Sequence, residues 1–355
     1  MKLGMLHLFE NPIDKSENQI IKEQMELMIK SEELGFDSVW PAEHHFSEYG
    51  IMGAPQVPLA AIAVKTSKIR LGTGVVVLPF HNPIRVAEDF AFLDHLSDGR
   101  VIFGVGRGYQ PSEYKGFGVD QENSRDIFDE GMQLIKKVWT EENVTFKGKY
   151  YQTENLTVRP RPFQKPHPPI YMACVQPETF AIAGRNGYHV LTSAAFGLSI
   201  KKAKGCVASY RKAREEAGFD PDTGNIACLV MVYPAKTMEQ ARKDFRDPVV
   251  WYYRTISKYV APASGAVKSY EEYAKTRDLA ANLQFEDIVD GPIMACGDVE
   301  HCIEKLTVLA DGIGFNELLC WTRIGGLESK KVLTAMELIS GEVLPALHKV
   351  SPGAA

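Results

Sequence analysis

The 355-residue sequence lacks the motifs of several common enzyme classes. It contains no G-x-x-x-x-G-K-[ST] loop and no G-x-S-x-G nucleophile motif, which argues against nucleotide hydrolysis and acyl transfer. No block of Lys and Arg stands out, and the formal net charge is -5, so the electrostatic pattern of a nucleic-acid-binding protein is missing. We therefore expect a neutral or modestly polar partner and no nucleic acid.

The sequence also has few cysteines and no composition typical of a membrane protein. Its 6 cysteines include no C-x-x-C pair, and we expect them to be reduced thiols in the core. A hydrophobic fraction of 45% with 24% charged residues is typical of a folded soluble protein and argues against a membrane span. The first residues reach Glu10 too soon for the apolar region of a signal peptide, which predicts a cytoplasmic location.

Apolar segments of strand and helix periodicity alternate along the chain. This alternation, with roughly eight units, favours a closed (β/α)8 TIM barrel with insertions, formed by one domain over residues 1–355. The predicted strands are 3–9, 36–40, 69–77, 101–105, 170–174, 189–192, 226–233 and 317–321. The predicted helices are 19–33, 55–64, 84–96, 124–139, one starting at Pro177, 200–216 and 330–339.

Two segments interrupt the alternation. Residues 145–151 resemble a small hairpin around Gly148, and residues 159–169 contain five prolines. We interpret residues 143–169 as an insertion, because barrel units resume directly afterwards. Residues 261–292 are polar and lie where a mobile lid over the barrel mouth is expected.

Glu43-His44-His45-Phe46 follows a predicted strand, where barrel enzymes place catalytic residues. A zinc site needs three or four convergent ligands, and this segment lacks an H-E-x-x-H pattern or a Cys/His cluster, so no metal is predicted. Neighbouring residues of an extended segment point to opposite sides, so one histidine at most should face a given pocket. The alternative is that both histidines bond backbone carbonyls near the strand end.

Two glycine-containing segments follow predicted strands. Gly72-Thr73-Gly74 would allow close approach of the backbone to a flat ligand, although a β-bulge explains it almost as well. Residues 104–109 resemble a dinucleotide-binding loop, but the glycine spacing and Pro111 fit that motif poorly, and we reject it. Arg107 could bind a phosphate or carboxylate, or form an ordinary ion pair.

A helix predicted to start directly after a strand could hold a phosphate. Gln176 and Thr179 lie at this start, where free backbone amides attract anions. Any helix start shares this property, so the pattern alone does not identify a site.

Taken together, several motifs resemble the bacterial luciferase-like monooxygenase family. The resemblance covers nearly the full length and is densest before Gly118. The motifs that carry it are Phe36-Asp37-Ser38-Val39-Trp40, Glu43-His44-His45-Phe46, Gly72-Thr73-Gly74, Leu78-Pro79, Asn82-Pro83-Ile84-Arg85, and residues 94–100 and 103–108.

The resemblance implies a TIM barrel that binds reduced FMN, forms a flavin C4a-hydroperoxide with O2, and transfers one oxygen atom to a small organic substrate. Since no nicotinamide site is detectable, a separate flavin reductase would supply the reduced FMN. His44 resembles the catalytic histidine of the family, and Gly74-Val75 matches the position of a non-prolyl cis peptide. The cofactor-binding positions implied in this way are Gly74, Val75, Gly106, Arg107, Tyr109, Ala173, Val175, Gln176, Thr179 and Ser193.

The sequence departs from bacterial luciferase at two places. The catalytic luciferase subunit has a reactive cysteine at the position of Gly106 and a Glu-Ser pair at the position of Val175-Gln176. We therefore do not expect light emission, and we expect the phosphate to be bound by different contacts. His44 and Arg107 match the catalytic subunit rather than the non-catalytic one.

Two alternatives to this function stay open. The barrel could bind the deazaflavin F420 and transfer hydride, or the chain could be a non-catalytic flavoprotein subunit. Family members commonly pair through helices of the first half, so residues 55–64 and 84–96 are the predicted faces of a homodimer, and covering the sheet is their alternative role.

Overall fold

Parallel β-strands arranged in a closed ring form the centre of the protein. The computed structural model describes residues 1–12, 15–194, 200–260, 277, 280 and 283–348. Its strands, in chain order, are β1 (Lys2–His7), β2 (Ser38–Pro41), β3 (Arg70–Gly72), β4 (Val76–Val77), β5 (Val101–Gly106), β6 (Val144–Lys147), β7 (Gln152–Leu156), β8 (Ile170–Ala173), β9 (His189–Ser193), β10 (Ile226–Pro234), β11 (Met294–Gly297) and β12 (Glu317–Trp321).

Eight of these strands close the ring. Parallel pairing runs through β1, β2, β3, β5, β8, β9, β10 and β12, and β12 pairs with β1 again. Strand β11 pairs with the carboxyl-terminal part of β10. The predicted (β/α)8 TIM barrel is therefore confirmed.

Helices alternate with the ring strands and bury apolar faces against them. Polar residues begin several of them: the side chains of Ser16, Asn82 and Asp298 each accept a hydrogen bond from a first-turn amide. The helices, in chain order, are α1 (Glu17–Glu33), α2 (Gln56–Ala63), α3 (Pro83–Leu96), α4 (Pro111–Phe117), α5 (Ser124–Thr140), α6 (Pro177–Arg185), α7 (Ile200–Glu216), α8 (Met238–Tyr259), α9 (Phe285–Ile288), α10 (Val299–Ile313), α11 (Ser329–Leu338) and α12 (Leu344–Leu347).

The structure corrects two predictions around the glycine-containing segments. The strand predicted over 69–77 is interrupted and forms the short strands β3 and β4. Between them, the Thr73 hydroxyl donates to the Gly104 carbonyl at 2.7 Å and accepts from the Gly104 amide at 3.0 Å, which replaces strand pairing there. Pro111, which we judged a poor fit to a loop that opens a helix, begins α4, because the first helical position tolerates proline well.

Trp40 fills the interior of the barrel. A Cβ atom at Gly72 would lie 2.4 Å from the Trp40 ring, and one at Gly4 would lie 3.0 Å from its Nε1, so both neighbouring strands need glycine there. Across the ring, Tyr171 of β8 packs edge-on against Trp40 with centroids 5.4 Å apart. Because the interior is packed, a ligand has room at the carboxyl ends of the strands.

The chain leaves the barrel after α5. Strands β6 and β7 pair as an antiparallel hairpin around Gly148, as the sequence predicts. Most of the predicted lid at 261–292 lies outside the described residues, and its described end carries α9. Among the described residues, no helix combines the length and the apolar character that crossing a bilayer requires.

Candidate active site

A cavity of about 750 Å³ lies at the carboxyl ends of the ring strands. Ligand pockets in proteins typically measure ~300–1,000 Å³, so the cavity is large enough for a cofactor or a substrate. It brings together all the residues that the sequence predicted for the site, which are His44, Gly74, Val75, Gly106, Arg107, Tyr109, Ala173, Val175, Gln176, Thr179 and Ser193.

His44 lies in the loop after β2 and lines the cavity. Its Nδ1 atom lies 3.0 Å from Oε1 of Glu113 and 3.2 Å from Nε2 of Gln110. The ring also packs edge-on against Tyr49, with centroids 4.6 Å apart. Because Nδ1 has these neighbours, Nε2 is the nitrogen that can serve a ligand in the cavity.

The neighbouring Glu43 and His45 belong to a second polar cluster. Glu43 Oε1 lies 3.0 Å from His45 Nε2 and 2.8 Å from His81 Nε2, and Oε2 accepts from the Val77 amide at 3.0 Å. The alternative in which both histidines bond backbone carbonyls is therefore wrong, since both rings contact carboxylates. Glu43 connects the loop after β2 with the segment that contains β4.

This cluster is electrostatically paired. Burial acts to raise the pKa of Glu43, but the hydrogen bonds from His45, His81 and Val77 outweigh it and lower the pKa below its usual value. Burial acts to lower the pKa of His81. The hydrogen bond and the negative charge of Glu43 outweigh burial and raise this pKa above its usual value. Glu43 is therefore a buried anion that favours a protonated His81.

One wall of the cavity lacks a side chain at Gly106. The peptide bond between Gly74 and Val75 is cis, as the family resemblance implies. A Cβ atom at Gly106 would lie 2.8 Å from Cγ2 of Val75 and 3.3 Å from Cβ of Ala173. A side chain at position 106 would therefore displace Val75, and its absence leaves a surface suited to a planar ligand.

Two arginines line the same cavity. Arg107 follows β5, and Arg125 is the second residue of α5. Burial raises the pKa of Asp129, while Arg125 and then Arg107 act to lower it, so both guanidinium groups lie close to this carboxyl group. Two planar donor groups on one side of a cavity can bind a phosphate.

The start of α6 also reaches the cavity. The Thr179 hydroxyl donates to the Gln176 carbonyl at 2.8 Å and accepts from the Gln176 amide at 3.2 Å. Thr179 thus orders the first turn of the helix. The amides of Glu178 and Thr179 belong to that first turn, where backbone donors lack partners within the helix.

Acidic side chains accompany the arginines. Glu122 and Glu178 both line the cavity. Glu178 also acts to raise the pKa of Asp129, which places it beside the same carboxyl group as the two arginines. The side of the cavity that carries the arginines can therefore take a compact anion, but a long polyanionic tail would meet these two carboxylates.

The rest of the cavity combines hydroxyl groups with apolar side chains. Tyr109 donates to the Tyr49 hydroxyl at 3.0 Å, and Tyr49 donates to the Tyr252 hydroxyl at 3.4 Å. Burial raises the pKa of Tyr49 well above its usual value, so its hydroxyl stays neutral. Thr192 Oγ1 is buried without a hydrogen-bond partner in the described chain, although Thr192 lines the cavity. The apolar lining residues include Leu6, Leu229, Leu319 and Trp321.

Sequence reasoning missed Glu113, Arg125, Tyr49 and Thr192. Arg125 and Glu113 are in the first turns of helices α5 and α4, where charged residues usually face solvent. The sequence offered a signal for Glu113, which follows the glycine-rich loop of β5 within a few residues, but none for Arg125, which lies beyond α4. Tyr49 and Thr192 carried no comparable signal.

Comparisons with known proteins agree with this geometry. A family model described as luciferase-like monooxygenase matches residues 1–317. The alkanal monooxygenase alpha chain of Photorhabdus laumondii is 29% identical over 98% of both chains. The oxygenase component of the flavin-dependent trigonelline monooxygenase of Acinetobacter baylyi is 28% identical over 97% of this chain and 94% of its own.

Solved structures show the same fold. The monooxygenase RslO1 from Streptomyces bottropensis superposes with a TM-score of 0.85 at 27% identity, covering 98% of this chain and 100% of its own. An F420-dependent secondary alcohol dehydrogenase has a TM-score of 0.78 at 21% identity, with 98% of each chain covered. The barrel alone therefore does not distinguish a flavin from a deazaflavin.

Proposed function

Because the chain belongs to the luciferase-like monooxygenase family, we propose that this enzyme is the oxygenase of a two-component system. It would use reduced FMN from a separate flavin reductase to insert one atom of O2 into a small organic substrate. The observation that carries this proposal is that one cavity contains His44, a wall without a side chain at Gly106, and two arginines. The name of the trigonelline enzyme as an oxygenase component supports the need for a reductase.

The residues of the cavity fit FMN. Gly106 and Val75 leave a surface against which a flat ring can lie, and the buried Thr192 hydroxyl lacks a partner that a polar ring edge or ribityl group would supply. Arg107, Arg125 and the first turn of α6 would hold the phosphate. When bound, reduced FMN would supply the reaction with O2.

FMN is favoured over F420 by the charge of the cavity. F420 carries carboxylates beyond its phosphate, and Glu122 and Glu178, which line the cavity with the arginines, would repel such a tail. Hydride transfer with F420 thus becomes the second candidate function, supported by the fold it shares with the F420-dependent dehydrogenase.

The side chains would contribute proton transfer and exclusion of water. Imidazole exchanges protons near neutral pH, so Nε2 of His44 could take a proton from the substrate or return one to it. Leu6, Leu229 and Trp321 would keep water from the reacting atoms and favour a substrate with apolar groups. Tyr49 and Tyr109, which pack on His44, would limit its movement.

We further propose a cytoplasmic homodimer. All six cysteines are buried and free, which suits a reducing compartment. Val57 on α2, Val64 directly after α2 and Phe92 on α3 are between 63% and 66% exposed. Pairing of two chains through these helices would cover these side chains.

The proposal is tested by supplying the protein with FMN, NADH and a flavin reductase under ¹⁸O2. A panel of aldehydes, cyclic ketones and sulfur compounds is then analysed by mass spectrometry. We expect one product to contain a single ¹⁸O atom, with formation dependent on FMN. Hydride transfer with F420 and no oxygen incorporation would replace this function with the second candidate. Flavin binding with no ¹⁸O in any panel compound and no hydride transfer would indicate a non-catalytic subunit.

A further inference from the structure

Glu113 is completely buried and directly contacts the predicted catalytic residue. Its Oε1 atom lies 3.0 Å from Nδ1 of His44 and accepts the backbone amide of His45 at 2.9 Å. One carboxylate oxygen therefore contacts both the imidazole ring and the backbone of the loop that carries it. Such an arrangement fixes the position and the rotation of the ring together.

The carboxylate also determines which ring nitrogen carries the proton. An ionised carboxylate can only accept hydrogen bonds, so a hydrogen bond between Glu113 and Nδ1 of His44 requires Nδ1 to be the donor. In a neutral imidazole, Nε2 then keeps its lone pair, and this is the nitrogen available to the cavity. The Gln110 amide, at 3.2 Å from Nδ1, competes weakly, because hydrogen bonds to a charged group are about twice as strong.

The remaining oxygen of Glu113 indicates more than a structural role. Oε2 is buried and has no hydrogen-bond partner among the described residues. A carboxylate needed only for packing or for loop order would be expected to satisfy both oxygens, since an unpaired buried acceptor is costly. The groups that surround His44 in the described chain are Glu113, Gln110, Tyr49 and Tyr109, so Glu113 is the anion that can stabilise a protonated ring.

We propose that Glu113 is a positioning residue that holds His44 as its Nδ1–H tautomer and presents Nε2 to the substrate as a proton acceptor. The catalytic effect of this role rests on the proposed monooxygenase function. The tautomer itself does not depend on that function. When His44 takes up a proton at Nε2, Glu113 would stabilise the imidazolium in the way that an aspartate supports a catalytic histidine in hydrolases.

The test uses protein labelled with ¹⁵N-histidine in the absence of cofactor. The His44 signals are assigned by their loss in His44→Asn, and their ¹⁵N shifts report the tautomer at a pH where the ring is neutral. We expect Nδ1–H in the wild type. In Glu113→Leu the carboxylate is removed and the Gln110 amide, 3.2 Å from Nδ1, becomes the donor to this nitrogen, so we expect a change to Nε2–H.

Two variants serve as controls. Glu113→Asp retains a carboxylate and should keep the Nδ1–H tautomer in most of the protein. Glu317→Gln removes another buried carboxylate, which bonds Tyr171 on the interior of the barrel at 2.9 Å, and should leave the His44 tautomer unchanged. A wild-type spectrum with Nε2–H would overturn the proposal even if the Leu variant fails to fold.

Turnover then separates positioning from binding. Once a substrate that the enzyme oxidises is known, Glu113→Leu should lower kcat by about 10²-fold, the order expected when general acid–base catalysis is lost. The Kd for FMN should stay within about threefold of the wild type. An unchanged kcat together with a changed tautomer would also refute the role. If the wild type oxidises no substrate, the proposed function fails, while the spectrum still decides the tautomer.

Discussion

A Cβ atom at Gly106 would lie 2.8 Å from Cγ2 of Val75, closer than two such atoms can approach. Because Val75 is β-branched and stiff, Gly106→Ala should push it into the space proposed for the flavin ring. We expect the Kd for FMN to rise by at least about tenfold, equivalent to ~1.4 kcal/mol, as measured by flavin fluorescence quenching. Gly205 of α7 has open space around it, so Gly205→Ala should leave the Kd unchanged. Equal affinities in both variants would show that this wall does not contact the flavin.

Neutralising Arg125 should weaken binding of the phosphate. Hydrogen bonds to charged groups contribute about 1.5–3 kcal/mol, so Arg125→Ala should raise the Kd for FMN by about 10- to 100-fold. Riboflavin lacks the phosphate and should bind the variant and the wild type equally. Lys212, an exposed cation on α7, provides the control Lys212→Ala. Equal losses for FMN and riboflavin would mean that Arg125 supports the structure of the cavity and not the phosphate.

Replacing His44 should separate chemistry from binding. His44→Ala removes the proposed proton acceptor but none of the predicted phosphate contacts. Product formation should fall by about 10²-fold or more, while the Kd for FMN changes little. Single-turnover experiments with preformed reduced FMN would measure both quantities. Wild-type turnover in this variant would exclude His44 from the reaction.

The buried His7 predicts a pH dependence of stability. Burial lowers its pKa from 6.5 to about 4, outweighing its hydrogen bond with Gln24. The unfolded chain therefore binds a proton that the folded protein does not, and stability should be lost as the pH falls from about 6.5 to about 4. The full difference corresponds to about 3 kcal/mol for this group.

This component should disappear in His7→Asn, which keeps a polar side chain near Gln24. Differential scanning calorimetry between pH 7 and pH 4 should show a smaller decrease in Tm for this variant than for the wild type. His348 is exposed, and His348→Asn should follow the wild type. Parallel curves for all three proteins would contradict the assignment to His7.

An acidic residue on α3 should disrupt the proposed homodimer. Phe92 is 63% exposed on this helix. Phe92→Glu would place a charge in the proposed interface, where desolvating it is unfavourable, and sedimentation velocity should show a monomer. Val308 of α10 is 59% exposed and outside the predicted faces, so Val308→Glu should remain dimeric. A dimer in both variants would place the interface elsewhere.

Much of the barrel could be predicted because its elements depend on local patterns. Helix Ile200–Glu216 and strand Glu317–Trp321 have the predicted bounds, since an amphipathic period and a short buried apolar run determine them. The interruption between β3 and β4 could not be predicted from apolar character, because it depends on the side chain of Thr73 bonding Gly104 of the next strand. Helix α8, with Pro248 inside it, and helix α10 were not assigned bounds from the sequence.

The residues of the candidate site likewise divide into those that the sequence predicted and those that only the fold brings to the site. Residues that belong to contiguous motifs, such as His44 and Arg107, could be proposed from their place after predicted strands and from the family resemblance. Glu113 was not, because it contacts His44 from 69 residues further along the chain, and only the fold brings the two together. Arg125 likewise reaches the cavity only because α5 starts at its edge.

The account depends most on the cavity being a site for reduced FMN. An anaerobic calorimetric titration of the wild type with reduced FMN, with F420 as competitor, tests this most directly. We predict one reduced FMN per chain and no displacement by an equal concentration of F420. Absence of binding heat, or displacement of FMN by F420, would contradict the account.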